Sequence, residues 1–181
     1  MPRPFLIDTD TASDDAVAII MALKWPDVDV KAITVVAGNM PLHQGLTNAL
    51  YTSELCGSAV PVYAGAPKPM LRPHVDATWY HGQDGMGDQG YPAPTKQAEK
   101  RHAVDAMIDT IKANVEKIAH IQIADVPGRH EPGTGEINYP NVLKAIDESG
   151  YQGYVALEYV PAGDTQAGLD GWLPKDQRAV R

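Results

Sequence analysis

The sequence predicts an α/β fold built on an open, mainly parallel sheet of five strands. Short β-branched segments alternate with segments of helical spacing, and glycine and proline separate them. The chain has 181 residues, which suits one domain with a sizeable core. Because strands joined through helices run parallel with right-handed crossovers, we expect a single Rossmann-like domain over residues 1–181, with three layers and strand order 3-2-1-4-5.

The first part of the chain supplies three strands and two helices. The first helix is expected to start at Ser13, a favourable N-cap, and to stop before Pro26. β-branched runs that end in glycine or polar residues mark the strands. The predicted elements are a strand at 5–8, a helix at 13–25, a strand at 28–38, a helix at 41–57 and a strand at 59–65.

A long loop at 66–97, dense in glycine and proline, separates these elements from the rest. Loops of this length are usually functional or disordered. We expect the strand that follows it to lie beside the first strand, in the centre of the sheet. The remaining predicted elements are a helix at 98–115, a strand at 119–124, a second loop at 126–140, a helix at 141–150 and a strand at 154–160.

Composition narrows the function classes. A net charge of −8 argues against non-specific nucleic-acid binding and is compatible with binding cations. The one cysteine, Cys56, cannot form an internal disulfide, and no apolar run is long enough to span a membrane. We see no signal peptide, and therefore expect a cytoplasmic protein with a small-molecule substrate and no membrane partner, with a homo-oligomer as one alternative to a monomer.

Four aspartates crowd the stretch "LIDTDTASDDAVAI" at residues 6–19: Asp8, Asp10, Asp14 and Asp15. They lie between the end of the first strand and the start of the first helix, where open parallel sheets bind ligands. A divalent cation such as Ca²⁺ or Mg²⁺ takes carboxylate oxygens and would offset their repulsion. The alternative is that they only favour the helix dipole and are solvated in the turn.

The same stretch carries a resemblance. "DTDTASDDAVAI", "VVAGN", "TNAL", "PVYAGAPKP" and "HGQDGMGD" follow one another in the order found in nucleoside hydrolases of the inosine–uridine type, over about residues 3–113. That resemblance implies a bound Ca²⁺, with Mg²⁺ or Mn²⁺ as alternatives, and hydrolysis of the N-glycosidic bond of ribonucleosides.

The resemblance also implies roles for single residues. Asp10 and Asp15 match the metal ligands, and Asp10 also matches the base that activates water. Asp14 and Asn39 match positions that hold the ribose hydroxyls. His81 either lines the mouth of the substrate site or is an ordinary surface histidine.

A second resemblance covers about residues 114–173. "HIQIADVPGRHEPGTGEINY" is similar to the last βα units of hydroxypyruvate isomerases, which are TIM barrels of the xylose-isomerase-like group. It implies that Gln122 and Glu158 are metal ligands, with Glu158 also a proton-transfer base, and that Arg129 and His130 lie near the substrate. The alternative is that the loop is simply polar and that Glu158 ends a strand.

The chain therefore resembles a composite of two enzymes joined near residue 113, each lacking part of its site. We expect nucleoside hydrolysis that is impaired, and the alternatives are an isomerase-like activity or a catalytically silent chimera. If the strand at 119–124 lies beside the first strand, Asp125 would reach the aspartate cluster as a replacement metal ligand. The alternative for Asp125 is a carboxylate that bonds its own loop.

Overall fold

The computed structural model describes residues 2–70, 72–126 and 128–172. The chain divides into two compact units, residues 1–114 and 115–181. The first contains β1 (Arg3–Thr9), α1 (Ser13–Lys24), β2 (Val28–Val35), α2 (Leu42–Leu55), β3 (Val62–Ala64), α3 (Thr78–His81) and α4 (Ala103–Lys112). The second contains a 3₁₀ turn (Val115–Lys117), β4 (Ile121–Ile123), α5 (Tyr139–Glu148), β5 (Val155–Leu157) and α6 (Thr165–Trp172).

The strands run parallel, so the predicted α/β class is confirmed. Strand order differs from the prediction, because the strands of the described residues form two sheets and not one. One sheet has the order β1-β2-β3, and β4 pairs with β5 in the other, so the predicted neighbours 3-2-1 and 4-5 are present. The described strand pairs do not include β4 with β1. That the whole chain folds as one domain stays a prediction.

The core of the first unit lies around β2. This strand is the middle one of its sheet, and its residues 32–35 are all buried. Ile33 and Val35 pack against Ile19 of α1 and Ala49 and Leu50 of α2. Because neighbouring residues of a strand face opposite sides, the β-branched run of β2 is buried on both faces.

The second unit is organised around Tyr139, the first residue of α5. Its ring is 3% exposed, and its hydroxyl donates a hydrogen bond of 2.5 Å to the carbonyl oxygen of Ala124. Trp172 packs edge-on against the ring, with 5.6 Å between centroids. The Asn138 side chain caps α5 by accepting from the Asn141 amide at 3.2 Å. No helix in the described residues is long and apolar enough to cross a membrane.

The predicted helix at 98–115 is wrong at both ends. Residue 99 is extended, because the Glu99 amide bonds to the Val62 carbonyl oxygen at 2.8 Å, beside β3. The helix begins after His102, whose side chain accepts from the Val104 amide, and it ends at Lys112. The strand predicted at 119–124 is also shorter, spanning Ile121–Ile123. Pairing with β3 therefore overrides helical propensity at the start of this segment.

The end of the long loop is tied to the first unit by Lys96. Its ammonium group donates to Ser53 Oγ at 2.7 Å, to the Ser58 carbonyl at 3.2 Å and to the Val60 carbonyl. Desolvation lowers the pKa of Lys96 below its ordinary value, although the charges of Glu99 and Glu54 oppose this shift. The three acceptors replace the water that a half-buried ammonium group loses.

Replacing Lys96 with methionine should lower the free energy of unfolding of the first unit by about 2 kcal/mol. Methionine keeps much of the apolar stem but leaves three acceptors without their donor. Urea unfolding checks this, with Lys100→Met at a nearby exposed position as the control. If the two variants are equally stable, the bonds of Lys96 contribute nothing.

Candidate functional site

Asp10 and Asp15 flank the turn between β1 and α1. Helix α1 begins at Ser13, and its N-cap is Ala12, so the predicted capping role of Ser13 is wrong. Asp15 reaches back instead, and its Oδ2 accepts from the Ala12 amide at 3.2 Å. A carboxylate at this third helical position satisfies an amide that the helix itself cannot.

The carboxylates of Asp10 and Asp15 adjoin one another. Desolvation raises the pKa of Asp15, and Asp10 raises it further through a side-chain hydrogen bond and its charge, against the lowering effect of the Ala12 amide. Desolvation and the Asp10 charge likewise raise the pKa of Asp8, whereas its bond from Thr34 lowers it. The cluster therefore holds more negative charge than its surroundings offset.

Hydrogen bonds of buried polar residues hold the turn between β1 and α1 in place. Thr11 is fully buried, and its amide donates to Thr9 Oγ1 at 3.0 Å. The Asn48 side chain donates to the Thr11 carbonyl at 3.0 Å and to the Asp84 carbonyl at 2.9 Å. Gly45 lets α2 approach, since a Cβ there would lie 2.8 Å from the Asp10 carbonyl oxygen. Asn48, which belongs to the motif "TNAL", therefore holds the turn between β1 and α1. The sequence alone did not predict this role.

The turn after β2 closes the other side of the site. The Asn39 amide donates to Asp10 Oδ2, and Gly38 packs directly on the same side chain. A Cβ on Gly38 would lie 2.7 Å from Asp10 Cγ, which is too close for any side chain. Asn39 itself is exposed, as is Asp14 in the first turn of α1. Both are therefore open to a ligand at this edge.

The long loop at 66–97 reaches the start of α1, beside the aspartate cluster. His81, at the end of α3, is half-buried and its Nδ1 lies 3.4 Å from Ser13 Oγ. The structure thus brings the four residues Asp10, Asp14, Asp15 and Asn39 together at the carboxyl ends of β1 and β2, with His81 beside the start of α1. His74, which sequence reasoning did not single out, bonds to the Gly38 carbonyl at 2.7 Å.

The donor set fits part of a cation site. Two adjoining carboxylates suit Ca²⁺, which takes 6–8 oxygen ligands. One oxygen of each is bonded by a backbone amide, Asp10 by Asn39 and Asp15 by Ala12. Within residues 2–70, 72–126 and 128–172, no three or more carboxylate, histidine or cysteine side chains are grouped so as to hold a metal. Water or backbone oxygens would have to complete the coordination.

The residues of the second resemblance lie in the second unit. Gln122 pairs with Ala156 across the β4–β5 sheet, two residues before Glu158, so Gln122 and Glu158 share one face. Glu158 forms an exposed ion pair with Arg129. His130 Nδ1 lies 2.7 Å from the Val160 carbonyl oxygen. The carboxylate of Glu158, which the resemblance assigns to a metal, is therefore paired with Arg129.

Asp125 organises the loop that follows β4. It is fully buried, and both oxygens are bonded: Oδ1 accepts from the amides of Val126 and Ile137, and Oδ2 accepts from those of Gly133 and Gly135, at 2.7–3.2 Å. Desolvation raises its pKa, but these four amides outweigh it and hold the pKa below the ordinary value. Asp125 is the loop-bonding carboxylate of the alternative interpretation, and both oxygens are already used.

Curated relatives resemble the first part of the chain. The pyrimidine-specific ribonucleoside hydrolase RihB of Escherichia coli strain SE11 is 42% identical over 112 residues, which are 62% of this chain and 36% of RihB. An uncharacterised protein of Schizosaccharomyces pombe is 40% identical over 110 residues and is covered to the same 36%. The chain thus spans about a third of the length of these relatives.

Solved structures of nucleoside hydrolases also resemble this chain. A purine-preferring ribonucleoside hydrolase from Gardnerella vaginalis matches with a TM-score of 0.60 and 29% identity, over 85% of this chain and 48% of the hydrolase. An inosine-guanosine nucleoside hydrolase matches with a TM-score of 0.56 and 31% identity, over 81% of this chain and 43% of that one. The predicted isomerase-like origin of residues 114–173 is not established by these matches and stays a prediction.

The family model of the inosine-uridine preferring nucleoside hydrolases matches residues 5–125. The match includes the aspartate cluster and continues past the predicted junction near residue 113. Because it covers more than half of the chain, the chain belongs to the inosine-uridine preferring nucleoside hydrolase family.

Proposed function

We propose that this chain binds a divalent cation at Asp10 and Asp15 and hydrolyses the N-glycosidic bond of ribonucleosides there. The observation that carries the proposal is the geometry of the pair, in which one oxygen of each carboxylate accepts from a backbone amide, Asp10 from Asn39 and Asp15 from Ala12. Desolvation and repulsion by the Asp10 charge raise the pKa of Asp15, in agreement with this arrangement. A cation between them would remove this repulsion. Ca²⁺ is the proposed ion, with Mg²⁺ or Mn²⁺ as alternatives, because Ca²⁺ tolerates an irregular shell completed by water.

The roles of the protein groups follow from their positions. A cation held there would supply a Lewis acid that acidifies water. Asp10 would accept the proton of the attacking water, as a carboxylate beside the nucleophile can. Asp14 and Asn39, which are both exposed, would hold the ribose hydroxyls. The transition state of such a reaction resembles an oxocarbenium ion, so nearby negative charge stabilises it.

His81 would line the mouth of the site, where its bond to Ser13 places it beside the start of α1. The proposal omits Asp125 because its oxygens are used, and Gln122 and Glu158 because Arg129 engages Glu158. A cytoplasmic location suits the lone Cys56, since a reducing compartment keeps a thiol free. A homo-oligomer remains part of the proposal.

Calorimetric titration with Ca²⁺ tests the cation site. The wild-type protein should bind weakly, because two carboxylates supply only part of the 6–8 oxygens that Ca²⁺ takes. Asp10→Ala should abolish the binding heat. Asp109→Ala is the matched control, since Asp109 is an exposed carboxylate of the same unit, paired with Arg101. Equal heats in the wild type and Asp10→Ala would refute the assignment.

Release of hypoxanthine from inosine, followed by chromatography, tests the reaction in the same samples. We expect slow hydrolysis, because none of the roles proposed for Asp10, Asp14, Asp15 and Asn39 is that of a general acid, and losing one typically costs about 10²–10⁴-fold in rate. Asp10→Asn should abolish the remaining rate. Release that survives Asp10→Asn would show that another group activates the water.

A further inference from the structure

The turn that carries Asn39 is held from outside by the long loop. His74 Nε2 lies 2.7 Å from the Gly38 carbonyl oxygen, and the Ala77 amide donates to the Asn39 carbonyl at 2.8 Å. A carbonyl oxygen can only accept, so Nε2 of His74 carries the proton of this bond. Two consecutive carbonyls of the turn are therefore fixed by residues that lie 36 and 38 positions further along the chain.

The inner side of the same turn is fixed to Asp10. The Asn39 amide donates to Asp10 Oδ2, and Gly38 has no room even for a Cβ against the Asp10 side chain. Because atoms in such close contact have to move together, a shift of the turn changes the position of the Asp10 carboxylate. His74 and Asp10 thus act on opposite sides of one short segment.

The loop around His74 is itself ordered by local bonds. Asp76 accepts from the Thr78 amide at 3.1 Å and from Thr78 Oγ1 at 2.6 Å, at the start of α3. That short helix ends at His81, beside Ser13. His74 is half-buried, as expected for a side chain that spans the gap between the loop and the turn.

We propose that His74 is a positioning residue for the aspartate site: by donating its Nε2 proton to the Gly38 carbonyl, it holds the turn of Asn39 and thereby the carboxylate of Asp10. In this role His74 acts through the turn and would contact neither the cation nor the substrate. The inference rests on the proposed function, in which Asp10 is both a ligand and the base. Sequence reasoning had no signal for it, because "RPHVDATW" shows only a histidine in a long loop.

Hydrogen exchange of the Asn39 amide in the metal-free protein, followed by NMR, tests the proposal directly. His74→Phe keeps a ring but removes the donor, and His74→Ala removes both. Both variants should speed exchange of this amide about fivefold, the effect of one lost hydrogen bond. His74→Gln, which keeps an N–H donor, and His43→Phe, at an exposed position on α2, should exchange at the wild-type rate.

Calorimetric Ca²⁺ affinity is the second measurement. It should weaken about fivefold in His74→Phe and return to the wild-type value in His74→Gln. If the wild type binds no Ca²⁺, the proposed function fails, while the exchange rates still decide the role of His74. Unchanged Asn39 exchange in both His74→Phe and His74→Ala overturns the inference. Exchange in His74→Gln as fast as in His74→Ala also overturns it, because the donor would not be what matters.

Discussion

Replacing Asp125 with asparagine should destabilise the second unit by about 3 kcal/mol. Asparagine keeps one acceptor oxygen and turns an NH₂ group toward two backbone amides that both need acceptors. The loop at 126–137 then loses bonds from Gly133 and Gly135, or from Val126 and Ile137, depending on the orientation of the amide. Hydrogen exchange of these four amides and urea unfolding of the variant measure the loss.

The effect of Asp125 should depend on pH in a defined direction. Its pKa is lowered in the folded protein, so its stabilising contribution is present above the ordinary value of 3.8 and is lost as the pH falls through the lowered pKa. The gap in stability between the wild type and Asp125→Asn should therefore shrink as the pH is lowered below about 4. Asp147→Asn, at an exposed position on α5, is the control and should show no comparable gap. A gap that persists unchanged at pH 2 would contradict the proposed cause.

Replacing Gly38 with alanine should disrupt the aspartate site. The added methyl group would lie within 2.7 Å of Asp10 Cγ and closer still to Oδ2, so either the carboxylate or the turn of Asn39 has to move. Overpacking of this kind typically costs about 1–3 kcal/mol. We expect lower stability of the first unit and, if the site binds Ca²⁺, loss of that binding.

Gly163→Ala, in the second unit, is the control for the added methyl group alone, because an added Cβ there meets no atom within 4 Å. Thermal unfolding with and without Ca²⁺ compares the two variants. Gly38→Ala should unfold at a lower temperature than Gly163→Ala and should gain nothing from Ca²⁺. A Gly38→Ala protein as stable as the control would show that the contact with Asp10 relaxes without cost.

The two proposals assign two different kinds of role: direct contact with the cation, and positioning of a residue that makes this contact. Asp10 and Asp15 would contact the cation, whereas His74 acts only through the turn of Asn39. An intact wild-type cation site with an unchanged His74→Phe variant would leave the first proposal standing and remove the second. Asp10→Ala and His74→Phe therefore separate a ligand from a residue that only positions one.

Local patterns in the sequence determined most elements of the first unit. The α/β class, α1, β2 and α2 follow from apolar periodicity and from the glycine and proline at their ends, all of which are properties of neighbouring residues. The aspartate cluster was equally visible, since Asp10, Asp14 and Asp15 lie in one short stretch at the end of β1. Family membership could also be predicted, because "DTDTASDDAVAI" and the motifs after it are specific.

Only the tertiary structure decided which distant residues meet. The extended backbone at Glu99, the separate pairing of β4 with β5, and the contact of His74 with Gly38 depend on segments brought together by packing. Asp125 shows the same limit, because four amides up to 12 residues away surround its carboxylate. The physical reason is that periodicity and capping act within a turn or two of chain, whereas the partner of a strand edge or a buried polar group is chosen by the free energy of the whole fold.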